Sequence, residues 1–338
     1  MHAHIRALFI CKHRESYGHK TGLSSGLLNS ARFVSDMLNT IGIESKLVDV
    51  QDNNDIDREV TLYKPTHVFI EALWVVPEKF DVLIKLHPHV KWIIRLHSEV
   101  PFIAMEGVSM HWLFEYIKRK NVIISANSKH AQEELEYQLK KFVPYLPNYY
   151  PVDFNIKKVH KHSSEYIDIG CFGAIRLFKN HLVQAIAAIR FAEQIGKKLR
   201  FHINHERVEG WNSDSIYKNL KYLFDNNPQH ELVNHWWLPH HEFIELIKLV
   251  DIGMQVSFTE TFNIVTADFV NNNVPVVVSH EITWASELFK ADPHSVPDII
   301  NKLEHAWNAS KHNGQDLNKR GLYNFSENSK KDWKKFFN

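Results

Sequence analysis

The segment SFTETFNIVTADFVNNNVPVVVS, Ser257 to Ser279, decides the fold of this chain. A strand-like run, Ile252 to Val256, precedes it, and a strand of the buried type, Val274 to Ser279, closes it. Between the strands lie a polar turn and a helical segment, with two acids, Glu260 and Asp268. Strand, turn, helix and strand form a βαβ unit, which binds ligands at the carboxyl ends of its strands.

The spacing of the two acids predicts a long ligand. Positions eight apart on a helix lie about 80° apart around its axis and about 12 Å apart along it. We expect Glu260 in the turn before the helix and Asp268 inside it, with an anion held by the first free N–H groups. Paired carboxylate oxygens suit vicinal hydroxyls. A ligand with hydroxyls at both ends and phosphates between them is a nucleotide sugar.

A structural explanation of the same acids stays open. Glu260 would then be an exposed acid favoured by the helix dipole, and Asp268 a solvated helix residue. The apolar neighbours of Asp268 argue for a partner, because a carboxylate is rarely buried without one. Those neighbours are Ile264, Val265, Ala267, Phe269 and Val270.

This segment resembles the donor-site signature of retaining GT-B glycosyltransferases of the family 4 type. That signature has two acids separated by seven residues, followed by a Gly-x-Pro-Val-Val turn and strand. The matching positions here are Glu260, Thr261, Phe262, Asn263, Asp268 and the strand Val274 to Ser279. The resemblance implies that Glu260 binds the donor sugar and that Asp268 binds the nucleotide ribose.

The sequence departs from the family pattern at two positions. Asp268 stands where the family usually has Glu, which shortens the reach to the ribose and leaves the base and sugar open. Asn273 stands where the family usually has Gly. We therefore expect Asn273 in the left-handed conformation, which Asn tolerates better than most residues.

A second segment, Ile167 to Asn180, predicts a strand and a glycine-bearing turn before a helix from His181 to Ile195. Gly173 removes a side chain where the backbone approaches another group, and Arg176 and Lys179 place two cations in the same loop. The resemblance implies that these residues clamp the donor diphosphate in place of a metal. We expect no cofactor beyond a nucleotide-sugar co-substrate, a UDP- or GDP-sugar. The alternative is two surface cations before a helix.

Three histidines precede the acid motif without forming a metal site. His235 ends a predicted strand, and His240 and His241 begin a helix that runs to Val250. No Cys or carboxylate framework with ligand spacing accompanies them. We therefore predict surface or capping histidines and no bound metal.

The first half of the chain predicts a separate α/β domain. Short apolar runs alternate with periodic helical segments, which is typical of a doubly wound parallel sheet. The proline-rich run Val143 to Pro151 then breaks the pattern. We predict domains at 1–152 and 153–322 and a C-terminal helix at 323–338. The resemblance implies two Rossmann-like domains facing across a cleft, with the last helix crossing back to the first. The runs are Arg6 to Cys11, Ser45 to Val50, His67 to Leu73, Lys91 to His97 and Val122 to Asn127.

Candidate acceptor-side residues follow the strands of this first domain. The strand ending in Arg95-Leu96-His97-Ser98-Glu99 resembles the Thr-x-His-Asp segment of the family, whose His lies near the reacting sugar. His97 is the candidate for positioning or polarising the sugar and acceptor, with its ring oriented by Glu99 or a backbone carbonyl. A histidine that only caps the strand is the alternative. Glu71 is a further candidate, as an acceptor-binding carboxylate.

The first loop predicts a phosphate or acceptor contact. It is polar, and its Gly and Ser residues precede a helix, where backbone N–H groups bind anions. A flexible, solvated loop is the alternative. The candidate residues are Lys12, Arg14, Ser24, Ser25 and Gly26.

Composition limits the protein class. The chain has 338 residues, 44% of them hydrophobic, which suffices for two cores, and neither a signal peptide nor a membrane-spanning run is visible. Its 40 basic and 39 acidic residues exclude a nucleic-acid footprint of the whole protein. Cys11 and Cys171 fall in different predicted domains and are expected as buried thiols, which indicates a cytoplasmic enzyme.

The sequence thus predicts a retaining, metal-independent glycosyltransferase with His97, Arg176, Lys179 and Glu260 as catalytic residues. The acceptor stays open among a glycan, a lipid-linked sugar, a small molecule and a hydroxymethylated base in DNA. The basic first loop and a resemblance to virus-encoded family members favour testing DNA. A sugar-nucleotide epimerase or phosphorylase and a non-catalytic nucleotide-sugar-binding protein share the predicted layout.

Overall fold

A computed structural model describes residues 4–13, 26–157, 163, 165–208, 213–312 and 316–338. The chain divides into two compact units. Of the described residues, the first unit contains 4–13, 26–151 and 325–338, and the second contains the others. Each unit is built on its own parallel sheet.

The first unit has a five-stranded parallel sheet in the order β2-β1-β3-β4-β5. Its central strands are continuous apolar runs because helices cover both faces of the sheet. The strands are β1 (Arg6–Lys12), β2 (Glu44–Val50), β3 (His67–Glu71), β4 (Lys91–Leu96) and β5 (Val122–Ala126). The helices are α1 (Gly26–Thr40), α2 (Asp55–Tyr63), α3 (Lys79–Leu86), α4 (Val100–Ile103), α5 (Ser109–Tyr116) and α6 (Lys129–Leu139).

The second unit has a six-stranded parallel sheet in the order β11-β10-β9-β6-β7-β8. The strands are β6 (Tyr166–Gly170), β7 (Lys198–Asn204), β8 (Glu231–His235), β9 (Ile252–Gln255), β10 (Val276–Ser279) and β11 (Lys290–Ala291). The helices are α7 (His181–Gln194), α8 (Ser213–Asp225), α9 (His240–Ile247), α10 (Ile264–Asn271) and α11 (Val296–His312). Helix α12 (Asp316–Phe337) begins in this unit, and its residues from Phe325 onward belong to the first unit.

The strand order of the second sheet reverses next to β6. From β6 the chain proceeds outward to β7 and β8 and then returns to β9 on the other side of β6. Ligands of open α/β sheets bind beyond the carboxyl ends of the strands at such a switch point. The two segments that the sequence analysis singled out follow β6 and β9.

The fold prediction is confirmed: the chain is α/β, with two doubly wound parallel sheets. Cys11 and Cys171 are both buried, as expected. The last helix is longer than the predicted segment, because α12 already begins at Asp316. No helix in the described part of the chain is both long and apolar enough to cross a membrane.

Asn273 adopts the left-handed conformation, with φ of 58°, as predicted. Its side chain shows why an amide is useful here. The Nδ2 group donates a hydrogen bond to the carbonyl of Ile156, and Oδ1 accepts one from Lys319 Nζ at 3.0 Å. The turn before β10 is therefore tied to two other segments of the second unit, which a glycine could not do.

Trp333, on α12, completes the core of the first unit. Its side chain is fully buried and packs against Phe9 and Phe69, which lie on neighbouring strands, with ring centroids 5.8 and 5.3 Å away. The indole Nε1 donates to the carbonyl of Pro147 at 2.9 Å, so the polar end of the ring is satisfied.

Candidate active site

Lys179 and Glu260 form an ion pair between the loops that follow β6 and β9. They lie 81 residues apart in the sequence and are both mostly buried. The sequence analysis assigned one to a diphosphate and the other to a sugar. The structure brings the two predicted groups into direct contact at the switch point of the sheet.

Side-chain amides hold these two loops together. Asn180 has φ of 58°, and its Nδ2 donates to the carbonyl of Val256 at 3.1 Å. Gln184 accepts from the N–H of Val256 at 2.9 Å and donates to the carbonyl of Lys179 at 2.7 Å. These buried bonds fix the position of the backbone at Lys179 relative to the end of β9.

Gly173 and Arg176 belong to the loop after β6. Gly173 has φ of +117°, which disfavours other residues, and its N–H donates to Asn204 Oδ1 at 3.0 Å. Arg176 has extended backbone and directly precedes the 3-10 turn that ends with Lys179. Both cations of the predicted clamp therefore lie on one short turn.

Two residues of the turn before α10, Phe262 and Asn263, hold the local structure together. Asn263 caps the helix, because its Oδ1 accepts from the N–H of Thr266 at 2.9 Å, while its Nδ2 donates to Gln255 Oε1 at 2.9 Å. Phe262 is buried against Trp284, and Thr261 lies between it and Glu260. Since α10 begins only at Ile264, the helical spacing used for the two acids does not extend back to Glu260.

Asp268 lies inside α10 and has the partner that its apolar surroundings predicted. Its Oδ1 lies 2.9 Å from Nε2 of His240, the first residue of α9. The prediction of a surface histidine is correct for His241, whose side chain is 82% exposed. It is wrong for His240, and also for His235, which pairs with His202.

A polar network on β6, β7 and β8 was not predicted. Arg200 donates to both carboxylate oxygens of Asp168 at 2.7 and 2.6 Å, and His202 Nε2 lies 2.8 Å from the same carboxylate. Nδ1 of His202 lies 2.8 Å from Nε2 of His235. Burial lowers the pKa of His235 to about 4, so that ring is neutral at pH 7. The alternating polar residues of β7, Arg200, His202 and Asn204, were a sequence signal for this face.

In the first unit, His97 contacts two buried charged residues at the carboxyl ends of β3 and β4. Its Nε2 bonds to Glu71 Oε2, and Arg95 Nη1 donates to the same oxygen at 2.9 Å. Glu71 and Arg95 face each other in the register of the two strands. Nδ1 of His97 lies 3.4 Å from the amide nitrogen of Asn127, after β5.

The electrostatics of this group favour a neutral His97 beside an ionised Glu71. Burial and the nearby Arg95 guanidinium lower the pKa of His97. Burial alone would raise the pKa of Glu71, but Arg95 and His97 outweigh it and lower that pKa. Nε2–H therefore donates to Glu71, and Nδ1 accepts from Asn127.

Glu71, and not Glu99, orients the ring of His97, which corrects the sequence prediction. Glu99 instead accepts from Ser128, which caps α6, and lies 3.1 Å from His130 Nδ1. Glu71 is completely buried between Arg95 and His97. Its predicted contact with an acceptor stays a prediction.

The remaining predicted residues lie at the first loop. Lys12 ends β1 and is exposed, and Gly26 is the first residue of α1. Arg14, Ser24 and Ser25 lie outside the described residues.

One group of residues could bind a metal within the described ranges. Glu99, His130 and Glu134 place possible ligand atoms within 4.8 Å of one another. His130 is exposed on α6, and its two ring nitrogens face the two carboxylates. This arrangement is typical of a surface ion-pair cluster.

Comparison with known proteins relates the fold to glycosyltransferases. No family model matches the chain, and no curated protein matches it. A UDP-forming α,α-trehalose-phosphate synthase from Burkholderia vietnamiensis superposes with a TM-score of 0.67 at 10% identity, covering 97% of this chain and 96% of the other. Sucrose-phosphate synthase from Thermosynechococcus elongatus gives 0.65 at 13% identity, with 98% of both chains covered.

A third solved structure is an α-glucosyltransferase in complex with UDP and a 13-mer DNA containing an HMU base. It gives a TM-score of 0.59 at 13% identity and covers 94% of this chain and 95% of the other. At sequence identities this low, the similarity shows a common fold and does not show a common substrate. The fold of this chain is the GT-B fold, and its structural neighbours are glycosyltransferases.

Proposed function

We propose that this chain is a glycosyltransferase that transfers a sugar from a UDP- or GDP-sugar to a hydroxyl acceptor with retention of anomeric configuration. The observation that carries the proposal is the contact between Lys179 and Glu260 at the switch point of a GT-B sheet. Two segments that separately resemble donor-binding motifs meet there.

The cations Arg176 and Lys179 are proposed to stabilise the leaving nucleoside diphosphate. Negative charge develops on the diphosphate as the bond to the sugar breaks, and fixed positive groups stabilise that charge most effectively when partly buried. Lys179 is anchored through its backbone by Gln184, so little reorganisation is needed during the reaction. This local positive charge is our reason for proposing metal-independent transfer.

Glu260 and His97 are assigned to sugar positioning. The carboxylate of Glu260 accepts hydrogen bonds from sugar hydroxyls, while the contact with Lys179 holds it in place. Both ring nitrogens of His97 contact protein side chains, Glu71 and Asn127. We therefore assign His97 a positioning role without proton transfer.

The double substitution Arg176→Ala/Lys179→Ala tests the clamp. We expect release of UDP or GDP from the donor to fall at least about 100-fold, the scale of losing preorganised charge stabilisation. Nucleotide release is measured with UDP-glucose, UDP-GlcNAc, GDP-mannose and GDP-glucose, and the anomeric configuration of the product by NMR.

The matched control is Arg190→Ala/Lys221→Ala, which removes the same charge from exposed positions on α7 and α8 of the same unit. This variant should retain the turnover of the unmodified protein. Equal turnover in both double variants would contradict the clamp, and an inverted product would contradict retention.

A hydroxymethylated base in DNA is the second candidate acceptor. The likeness to the α-glucosyltransferase solved with UDP and HMU-containing DNA is the observation that supports testing this acceptor. Labelled donor is incubated with HMU-containing duplex, with the same duplex containing thymine, and with glycan, lipid-linked sugar and free sugar acceptors. Label in the HMU duplex alone would establish the DNA acceptor.

Two other activities of the same fold are distinguished without an acceptor. An epimerase converts the donor into another nucleotide sugar, which chromatography of the donor detects. A non-catalytic binding protein gives heat in a calorimetric titration but never releases the nucleoside diphosphate. A transferase releases the nucleoside diphosphate in proportion to the amount of acceptor that is glycosylated.

A further inference from the structure

Two buried amide side chains, those of Gln255 and Asn263, form a chain of hydrogen bonds from the loop after β6 to α10. Gln255, the last residue of β9, donates from Nε2 to the carbonyl of Phe172 at 2.8 Å. Its Oε1 accepts from Asn263 Nδ2 at 2.9 Å. Asn263 Oδ1 accepts from the N–H of Thr266 at 2.9 Å and from its hydroxyl at 3.1 Å. We call this chain of bonds the amide link.

Backbone groups at the two ends of the amide link determine the orientation of both amides. The carbonyl of Phe172 can only accept, so Gln255 presents Nε2 to it and Oε1 to Asn263. The N–H of Thr266 can only donate, so Asn263 presents Oδ1 to it and Nδ2 to Gln255. The side chains of Gln255, Asn263 and Thr266 are all buried. Each bond therefore has one defined donor and one defined acceptor, and a buried network satisfied in this way is rigid.

The amide link joins the two segments that the proposed function assigns to the donor. Phe172 belongs to the cation loop, residues 171–180, which continues to Arg176 and Lys179. Asn263 ends the acid turn, residues 257–263, which contains Glu260. The contact between Lys179 and Glu260 is made by two side chains, which an incoming donor can separate. The amide link is anchored to the backbone at both ends, so it still holds the two segments together when a donor is bound.

We propose that Gln255 and Asn263 are positioning residues for the transfer reaction, which hold the cation loop and the acid turn in register on one donor molecule. This inference rests on the proposed function, which supplies the donor. The side chain of Asn263 is engaged by protein groups at both ends of its amide, so we assign it this role and not direct binding of the donor. A small displacement of one segment lowers the rate of transfer more than the affinity for nucleotide, because charge stabilisation requires preorganised groups.

Asn263→Asp tests the amide link without removing the helix cap. The carboxylate keeps an oxygen for the N–H of Thr266, and Asp caps helices about as well as Asn. It replaces the Nδ2 donor by an oxygen that faces Gln255 Oε1, so this bond of the link is lost. We expect kcat for nucleotide release to fall about 10-fold, while Kd for the free nucleoside diphosphate changes less than about twofold.

Gln255→Met is the second variant, because it breaks both bonds of Gln255 without adding a charge. It should lower kcat by a similar factor. In the Gln255→Met background, Asn263→Asp should have a smaller effect than in the unmodified protein, because the bond that it breaks is already absent. If the two substitutions lower kcat by factors that simply multiply, the residues do not act through one link and the inference is overturned.

Asn271→Asp is the matched control, with the same chemical change at a buried position of α10 outside the link. Asn271 Oδ1 accepts from the N–H of Asp153 at 2.8 Å, and a carboxylate oxygen also accepts this bond. The control should change kcat by less than about twofold, since no bond to either donor segment is altered. Urea unfolding of every variant shows that it is folded under the assay conditions.

The measurements separate failure of the inference from failure of the proposed function. Nucleotide release is followed with whichever of UDP-glucose, UDP-GlcNAc, GDP-mannose and GDP-glucose the unmodified protein uses fastest, and Kd is measured calorimetrically with UDP or GDP. Unchanged kcat in Asn263→Asp, or a loss of affinity as large as the loss of kcat, overturns the inference alone. Absence of release from all four donors by the unmodified protein, with every acceptor class tested above, overturns the proposed function and the inference with it.

Discussion

Glu71 and Arg95 place an ion pair with no exposed surface behind His97. A buried pair of this kind gains little over apolar residues of the same size, but removing one partner leaves an unpaired charge in the core. Arg95 is further bonded to the carbonyl of Leu146 at 3.0 Å and to Asn148 at 2.6 Å. The pair therefore fixes the ends of β3 and β4 beside a candidate catalytic residue.

Glu71→Gln should lower the free energy of unfolding by about 3 kcal/mol, because the guanidinium of Arg95 loses its counter-ion. Glu71→Gln/Arg95→Met should recover part of this loss, since the remaining unpaired charge is gone. Transfer should stay low in both variants because His97 loses the carboxylate that orients it. Urea unfolding and nucleotide release measure the two effects. Equal stability of the single variant and the unmodified protein would contradict the role of the pair.

At this scale the sequence predicts residues that belong to a local pattern. The left-handed conformation of Asn273 and the need of Asp268 for a partner were predicted, because they follow from turn chemistry and from the neighbouring residues. Glu71 as the partner of His97 and His240 as the partner of Asp268 were not predicted, because they lie 26 and 28 residues away in the sequence and the contacts depend on packing. Glu99 was chosen for His97 because it is near in sequence, but the cap of α6 engages it.

Helix α12 contributes a fully buried aromatic side chain, Trp333, to the core of the first unit. Trp333 stacks on Phe337 of its own helix. The guanidinium carbon of Arg95 lies 5.5 Å from the centre of the Trp333 ring. Trp333 thereby covers the face of β1 that Ala7 and Phe9 form. The sequence analysis predicted this helix but not which side chain it buries.

Trp333→Ala should lower the free energy of unfolding by about 3 to 5 kcal/mol, because it opens a cavity and leaves the Pro147 carbonyl without its donor. Lys334→Ala, at the exposed position next to it, should change stability by less than about 0.5 kcal/mol. Urea unfolding followed by far-UV circular dichroism gives both values. If both variants lost a similar free energy of unfolding, the burial of Trp333 would not be the cause of the loss.

At the scale of the whole molecule, buried histidines make stability depend on pH. Burial lowers the pKa of His67 to about 4, of His181 to about 3 and of His235 to about 4. An unfolded histidine has a pKa near 6.5, so below that pH the unfolded chain binds protons that the folded chain does not. Stability is therefore complete above about pH 6.5 and declines as the pH falls toward these lowered values.

His181 permits a direct test, because its ring is buried and neither nitrogen has a hydrogen-bond partner among the described residues. It should contribute a slope of about 1.4 kcal/mol per pH unit between about pH 6 and pH 4. His181→Leu should reduce the pH dependence by that amount, and the exposed His241→Leu should not. The measurement is urea unfolding at pH 7, 6, 5 and 4. Parallel profiles for His181→Leu and the unmodified protein would contradict a neutral, buried His181.

The overall architecture was predictable because it depends on patterns that repeat along the chain. Runs such as Val276 to Val278 are apolar throughout, which is typical of a parallel sheet covered on both faces. The strand ends were less predictable. The run from Lys91 was expected to reach His97, but β4 ends at Leu96, since pairing with β5 stops at Ala126.

The contact of Lys179 with Glu260 complicates how substitutions at this point must be interpreted. Glu260→Ala would delete an acceptor for sugar hydroxyls and, at the same time, release an ammonium group for an incoming phosphate. One change weakens the grip on the sugar and the other tightens the grip on the nucleotide, so the net affinity conceals two opposing contributions. Comparing a free nucleoside diphosphate with its sugar-bearing form separates them, because only the latter carries both.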